Sequence, residues 1–405
     1  MNILFISTEN PYPPDHGHHI RTYNILRYLA KRHSVYFLSF IKNEGELRYL
    51  AEIEKFCKSA DVCILPDEIS KWRFYLSILS NFFSPLPYVA EKYYQRSMKE
   101  KIRQVVERNG IDIVHFDMLP LARYRKEAKT IPTILVEHNV ESLRVKRLTE
   151  NSRNTLFKLF MYYQYIKLSA FEKKEVSRFD LCTAVSDEDV NILKKMSSKA
   201  KIIVIPNGVD TSYFAPKGEN RIERSMIWVG SMADVYNREA MEFFCSEIFP
   251  LIQAEIPDVE LTVVGKSPPK RLLDLEKGNK NVKVVGYVND VRPYIDAAAV
   301  YVAPMKSGSG TKLKVLNALS MAKAVVTTSI GAEGIHVKDN EHLLIADDPV
   351  LFAKKTIELL RDPERAAKIG ENGRRRMCDE YDWESIGQRM DEVYHGLVRS
   401  KIGKR

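Results

Sequence analysis

The feature that most constrains this chain is an alternation. Short runs rich in Val, Ile and Leu recur along it, separated by helix-length amphipathic stretches. The first half holds seven such runs: Asn2–Thr8, Ser34–Phe40, Asp61–Leu65, Asp112–Phe116, Thr133–Glu137, Leu181–Val185 and Lys201–Ile205. Met226–Gly230, Glu260–Gly265, Val282–Gly286, Val300–Ala303, Ala324–Thr328 and His342–Ile345 follow in the second half. Most lack strict polar alternation, as expected of strands that helices cover on both faces in a parallel sheet. The order predicts an α/β protein of two doubly wound, Rossmann-like parallel-sheet domains. Pro206-Asn207-Gly208 breaks the pattern, and polar Lys217–Arg221 precedes the next strand. Domains are therefore expected at 1–206 and 225–382, with 207–224 as a linker. Ile386, Met390, Val393 and Leu397 fall at helical spacing in a tail helix over about 383–399, expected to pack back on the first domain. Ligands in such folds bind beyond the strands' carboxyl ends, here expected in an inter-domain cleft.

Two domains suit 405 residues at roughly 100–200 residues per domain. Cys57, Cys63, Cys182, Cys245 and Cys378 are dispersed, odd in number and without C-x-x-C spacing. That argues against a disulfide scaffold or structural zinc and for a reducing compartment. Asn2–Thr8 reads as a buried strand rather than a leader, and no run reaches the ~18 apolar residues of a membrane span. A cytoplasmic protein is expected.

The net charge of +9 sits wholly in the first half. Residues 1–205 carry 33 Lys+Arg against 24 Asp+Glu, while the remainder balances at 29 each. Such an excess suits an anionic partner. Arg144–Arg178 concentrates it, with nine Lys/Arg against three Glu, interleaved with Leu156, Phe157, Leu159, Phe160, Tyr162, Tyr163 and Ile166. Trp72–Tyr94 is also aromatic-rich. Two readings stay open: peripheral attachment to the anionic inner face of a membrane, or a core helix with a solvated basic face. No nucleic-acid-binding motif accompanies the charge, so nucleic acid is not an expected partner.

Two loops carry the chemistry. The first, Ser7 to His19, leads from a strand into a helix N-terminus, where free N–H groups and the helix dipole suit an anion. It lacks the G-x-G-x-x-G fingerprint of dinucleotide binders. Its three histidines in four positions (His16, His18, His19) raise a metal, but neighbouring loop residues diverge and no Cys/Asp cluster accompanies them, so none is expected. The second loop, Pro304 to Lys312, is Gly-rich and opens a helix, with Lys312 and Lys314 adding cations. Small residues allow close backbone approach, and the combination favours phosphate, although Walker A spacing fails. His138 follows a strand near its carboxyl end, where such folds place reactive side chains. Asp187-Glu188-Asp189 matches a D-x-D pattern, but Ser186 before Asp189 reads as a helix start.

With these residues in view, the chain resembles the GT-B glycosyltransferases, specifically glycosyltransferase family 4 (group 1). The resemblance rests on Ala184-Val185-Ser186, Val204-Ile205-Pro206-Asn207-Gly208-Val209-Asp210, Val229-Gly230-Ser231-Met232 and Val263-Val264-Gly265. It continues through Val285-Gly286-Tyr287-Val288, Ala303-Pro304, Gly310–Leu316 and Ala324–Thr328. It implies a retaining transferase whose first domain binds acceptor and whose second binds a UDP- or GDP-sugar, with no cofactor and no required metal. By position it implies that Gly17 nears the donor diphosphate and that His138 faces the transferred sugar. Gly308, Ser309, Gly310, Thr311 and Lys312 match the diphosphate loop, with Lys312 assigned a catalytic role beside His138. Tyr287 and Val288 match the base contact, Gly230 and Arg238 the turn after the domain's first strand. His18 stands where a second glycine is usual. Ser309 and Asn317 replace two glutamates common in the family, so Asn317 is left to orient ribose through its amide.

The expected function is sugar transfer to a glycan or lipid-linked acceptor in polysaccharide or glycoconjugate assembly. The rival, motivated by Ser309 and Asn317, is a non-catalytic binding or scaffold subunit of the same fold.

Overall fold

The computed structural model describes residues 1–405 except 66–70, 151–154, 219–221, 309 and 403–405. The chain divides into two compact units, Met1–Ile205 with Ile386–Arg405, and Pro206–Ser385.

In the first unit seven parallel strands stand in the order β3-β2-β1-β4-β5-β6-β7. They are β1 (Asn2–Ser7), β2 (Ser34–Ile41), β3 (Ser59–Ile64), β4 (Ile113–Asp117), β5 (Thr133–Val136), β6 (Leu181–Ala184) and β7 (Ile202–Val204). Ile3, Leu4, Phe5 and Ile6 of β1 are all fully buried, so both faces of this central strand are covered. Unbroken apolar runs fit such a place, because a strand with two buried faces has no solvent side to mark with polar residues. In the second unit six parallel strands run in the order β10-β9-β8-β11-β12-β13. These are β8 (Ile222–Val229), β9 (Glu260–Val264), β10 (Val282–Gly286), β11 (Ala298–Ala303), β12 (Ala324–Thr327) and β13 (Leu344–Ile345).

Strand order reverses between β1 and β4 in one unit and between β8 and β11 in the other. At these points successive loops leave in opposite directions and open a crevice beyond the strand ends. The first loop follows β1, and the second follows β11. Both candidate loops thus sit at reversal points.

Three expectations change. Residues 206–218 pack on the second unit rather than hanging as a linker: Val209 N–H donates to Tyr381 O at 2.7 Å and Ser320 Oγ to Phe214 O at 2.7 Å. Strand β8 begins at Ile222, inside the expected linker. The basic stretch Arg144–Arg178 forms two helices, Glu141–Glu150 and Thr155–Val176.

The final helix spans Trp383–Ile402, and from Ile386 on it belongs to the first unit. Ile386, Met390 and Tyr394 are fully buried, whereas Val393 and Leu397 are half-buried. Gly387 is needed for this seat, since a Cβ there would lie 2.1 Å from the Tyr28 ring. Polar contacts fix the register: His33 Nε2 lies 2.7 Å from Asp391 Oδ1, and Lys401 Nζ donates to Asp180 Oδ2 at 3.0 Å.

Candidate functional site

In the first unit the crevice is organised by Asp117, at the carboxyl end of β4. Its carboxylate is buried and accepts from Thr22 Oγ1 at 2.6 Å. His138 Nε2 lies 2.7 Å from Asp117 Oδ1, and the His18 ring stacks on His138 at 4.7 Å. His18 Nε2 is 3.7 Å from Asp117 Oδ2. Behind Asp117, His115 hydrogen-bonds Tyr394 of the final helix and stacks on Phe5 at 3.9 Å. Burial alone would raise the Asp117 pKa, but the neighbouring His138 and His115, with Nε2 atoms 2.7 and 3.7 Å from Oδ1, hold it well below the usual carboxylate range. Burial, reinforced by His138, pushes His18 down to about 3. The buried Arg21 is lowered to about 10 by burial and stays cationic near neutrality, with Asp117 as a countercharge. The arrangement is an ionised acid that orients His138 beside the neutral imidazole of His18. An imidazole held in this way can accept or donate a proton, or hydrogen-bond a hydroxyl.

The histidine-rich loop separates into two groups. His18 turns inward to Asp117, whereas His16 and His19 turn to Glu9, with His19 Nε2 3.1 Å from Glu9 Oε2. Gly17 is the first residue of the Gly17–Ala30 helix, whose N-cap, His16, makes no side-chain capping bond. Glu9, His16 and His19 line a cavity of about 290 Å³ with Tyr12, Tyr49 and Tyr93. Ser186 caps its helix as expected, accepting from Asp189 N at 3.1 Å.

In the second unit the loop after β11 turns on Gly308 (φ 112°) and Gly310 (φ 70°), both in backbone regions that favour glycine. It ends at Lys312, the uncapped N-cap of the Leu313–Ser320 helix. Lys312 is buried, donates to Gly310 O at 2.7 Å and lies 3.7 Å from Glu333. Thr311 Oγ1 donates to Gly334 O at 3.4 Å. Lys314 crosses the end of β8, its ammonium 4.8 Å from the Trp228 ring centre and hydrogen-bonded to Asn237 Oδ1. Gly230 makes room for it, because a Cβ there would sit 2.8 Å from Lys314 Nζ. Burial pushes the Lys314 pKa down to about 7.

Other expected residues are placed less tightly. Arg238 is exposed on the Val235–Phe243 helix, so the cation brought to the Gly230 turn is Lys314. Tyr287 is 71% exposed and Val288 half-buried just after β10. Asn317 is half-buried in the Leu313–Ser320 helix. Ser309 lies outside the described residues. Sequence reasoning missed Asp117, Thr22 and Glu333. An acid closing the strand sequence Ile113-Val114-His115-Phe116-Asp117 was the available signal for the first.

The model for "Glycosyltransferase Family 4" matches residues 16–213, and that for "Glycosyl transferases group 1" matches 223–362. A Klebsiella pneumoniae 44.6 kDa protein of a cps region is 24% identical, over 95% of this chain and 97% of its own. A phosphatidyl-myo-inositol mannosyltransferase from Mycobacterium tuberculosis is 26% identical over 49% of this chain and 55% of its own. Among solved structures, sucrose-phosphate synthase from Thermosynechococcus elongatus superposes with a TM-score of 0.67 at 18% identity, covering 99% of this chain and 100% of that one. Anabaena HepE in complex with UDP gives 0.65 at 14% identity, over 98% and 100%. Two doubly wound parallel-sheet units of this kind define a GT-B fold. The chain belongs to the glycosyltransferases of family 4, group 1.

Proposed function

We propose that the protein is a retaining glycosyltransferase that moves a sugar from a UDP- or GDP-sugar to a glycan or lipid-linked acceptor in polysaccharide or glycoconjugate assembly. The observation that carries the donor half is the turn of Gly308 and Gly310 into buried Lys312, with Lys314 held below its usual pKa beside Gly230. The bond from the anomeric carbon to the diphosphate breaks, and a bond to an acceptor oxygen forms on the same face. The acceptor's proton passes to the departing phosphate oxygen. Lys312, Lys314 and the loop backbone meet the charge developing on the diphosphate, the kind of electrostatic stabilisation that dominates many reactions. His138, oriented by Asp117, hydrogen-bonds the sugar. A relative from a cps region and relatives named as mannosyltransferases support this reading over a non-catalytic subunit.

Calorimetry with UDP and GDP tests the donor half. With a pKa of about 7, Lys314 is mostly neutral at pH 8 in the free protein. A bound diphosphate favours the ammonium and raises that pKa. Binding at pH 8 is therefore expected to take up protons, seen as a dependence of the heat on buffer ionisation enthalpy. Uptake should fade below about pH 6, where Lys314 is already charged. Lys314→Met should abolish it and weaken binding about tenfold or more. Binding without proton uptake, unchanged in Lys314→Met, would contradict the assignment.

The acceptor half includes a membrane contact, although no described helix is long and apolar enough to cross one. The helices Lys71–Phe82 and Thr155–Val176 are joined by buried Asn81, which accepts from Lys167 Nζ and Gln164 Nε2. Together they leave a ridge of exposed Leu79, Phe82, Phe83, Leu156, Phe157 and Leu159, with Phe83 82% exposed. Lys167 is buried in that joint, so Lys158 is the nearby exposed cation on this helix. The ridge inserts among acyl chains while the basic surface meets anionic headgroups. Sedimentation with anionic vesicles is expected, and a Phe83→Ser, Leu156→Ser double variant should lose it. Equal sedimentation of both proteins, or of neither, would remove the membrane contact.

A further inference from the structure

The Glu9, His16 and His19 group plays no part in the donor chemistry, yet its hydrogen bonding is unusual. His19 Nδ1 faces Pro13 O at 3.1 Å, and its Nε2 faces Glu9 Oε2 at 3.1 Å. His16 Nδ1 faces Asp15 Oδ1 at 2.6 Å, and its Nε2 is 4.0 Å from the same Glu9 oxygen. A carbonyl or an ionised carboxylate can only accept. The His19 ring thus lies between two acceptors, while His16 Nε2 stands beyond hydrogen-bond distance of Glu9. The Nε2 atoms of both rings converge on the one Glu9 carboxylate.

We propose that Glu9, His16 and His19 bind a divalent transition-metal ion, zinc being the fitting case. The three ligand atoms lie within 4.8 Å of one another. Tetrahedral zinc with bonds near 2.1 Å needs ligand atoms about 3.4 Å apart; the Glu9 oxygen stands 3.1 Å from His19 Nε2 and 4.0 Å from His16 Nε2. Histidine ligands characteristically donate their second ring N–H to a carboxylate or a backbone carbonyl, which fixes the tautomer. Asp15 and Pro13 O stand in those places here. With neutral imidazoles, Glu9 and Asp15 supply two negative charges to offset the ion.

Three protein ligands leave a coordination position open, and this group borders the 290 Å³ cavity that Tyr12, Tyr49, Tyr93, Lys42 and Lys92 also line. An acceptor presenting a phosphate, a carboxylate or vicinal hydroxyls would complete the sphere there, with the tyrosines available to sugar faces. That use of the ion rests on the glycosyltransferase reading. The metal site itself does not.

The test uses the full chain without an affinity tag. After chelator treatment and dialysis, titration with zinc followed by elemental analysis is expected to give one ion per chain. Cobalt substitution should give visible absorption bands of a four-coordinate site. His16→Ala, at an exposed position, should abolish both, and Glu9→Gln should weaken binding at least tenfold. A second cluster, His33, Asp391 and His395, serves as the control. Binding that survives His16→Ala but is lost in His395→Ala overturns the proposal, as does absence of stoichiometric binding in the unaltered protein. Binding with no sugar transfer under any condition would leave the metal site standing and refute only its use in the reaction.

Discussion

Replacing Asp117 with Asn is expected to lower turnover by on the order of 10²-fold or more, the scale of a misplaced acid–base group, with little change in affinity for nucleoside diphosphate. Asp117 accepts on both oxygens: His138 Nε2 is 2.7 Å from Oδ1, and Thr22 Oγ1 donates to Oδ2 at 2.6 Å. An Asn amide offers one acceptor and one NH₂ group. If its oxygen keeps Thr22, its NH₂ faces His138 and demands the opposite tautomer, so Nδ1 becomes a donor where it had been the acceptor offered to the sugar. The buried Arg21 also loses a countercharge, which should cost about 1–3 kcal/mol of stability. The lysines assigned to the diphosphate lie in the other unit, so affinity and turnover should separate. His138→Ala should match the loss of turnover with less loss of stability. Turnover in Asp117→Asn within threefold of the unaltered protein would show that the pair is structural only.

Gly265→Ala is expected to have the largest effect on the second unit. A Cβ at this position would lie 1.7 Å from Gly230 O and 2.6 Å from Gly230 C, both backbone atoms. Neither segment can yield easily. Gly230 N–H donates to Val264 O at 2.9 Å, and Gly265 N–H donates to Gly286 O at 2.8 Å. Overpacking of this kind should cost about 3 kcal/mol. It should also displace Gly230 from Lys314 and Trp228, weakening nucleoside diphosphate binding at least tenfold. Chemical denaturation and calorimetry would read both losses. Gly278→Ala, where a Cβ would meet nothing within 4 Å, should change stability by less than about 0.5 kcal/mol. Similar behaviour of the two variants would contradict the packing argument.

The strand pattern was legible because burial on both faces leaves a signal that depends only on local composition. Each of the thirteen apolar runs overlaps an observed strand, down to the two-residue β13. Side-chain direction was not legible in the same way. His16, His18 and His19 are near neighbours in sequence, but one meets Asp117 and two meet Glu9. That division follows from where a helix begins, at Gly17, and helix boundaries are weakly encoded. Lys167 belongs to the basic stretch Arg144–Arg178, yet it is buried against Asn81, 86 positions away in sequence. Asp117 illustrates the same limit, since its partner Thr22 lies in the Gly17–Ala30 helix and its partner His138 follows β5. Glycines 230, 308 and 310 are expected from the family resemblance to lie at the donor. That Gly230 serves Lys314 could be seen only once β8 and the Leu313–Ser320 helix were placed.

Sugar transfer from a nucleotide donor is read out by mass spectrometry of a donor screen. The chain would be incubated with UDP- and GDP-sugars and with short glycan and lipid-linked acceptors. At least one acceptor is expected to gain the mass of one sugar residue, with an equal amount of nucleoside diphosphate released. The rate should fall on the order of 10²-fold or more in Asp117→Asn. Tight binding of a nucleoside diphosphate with no transfer from any donor to any acceptor would contradict sugar transfer.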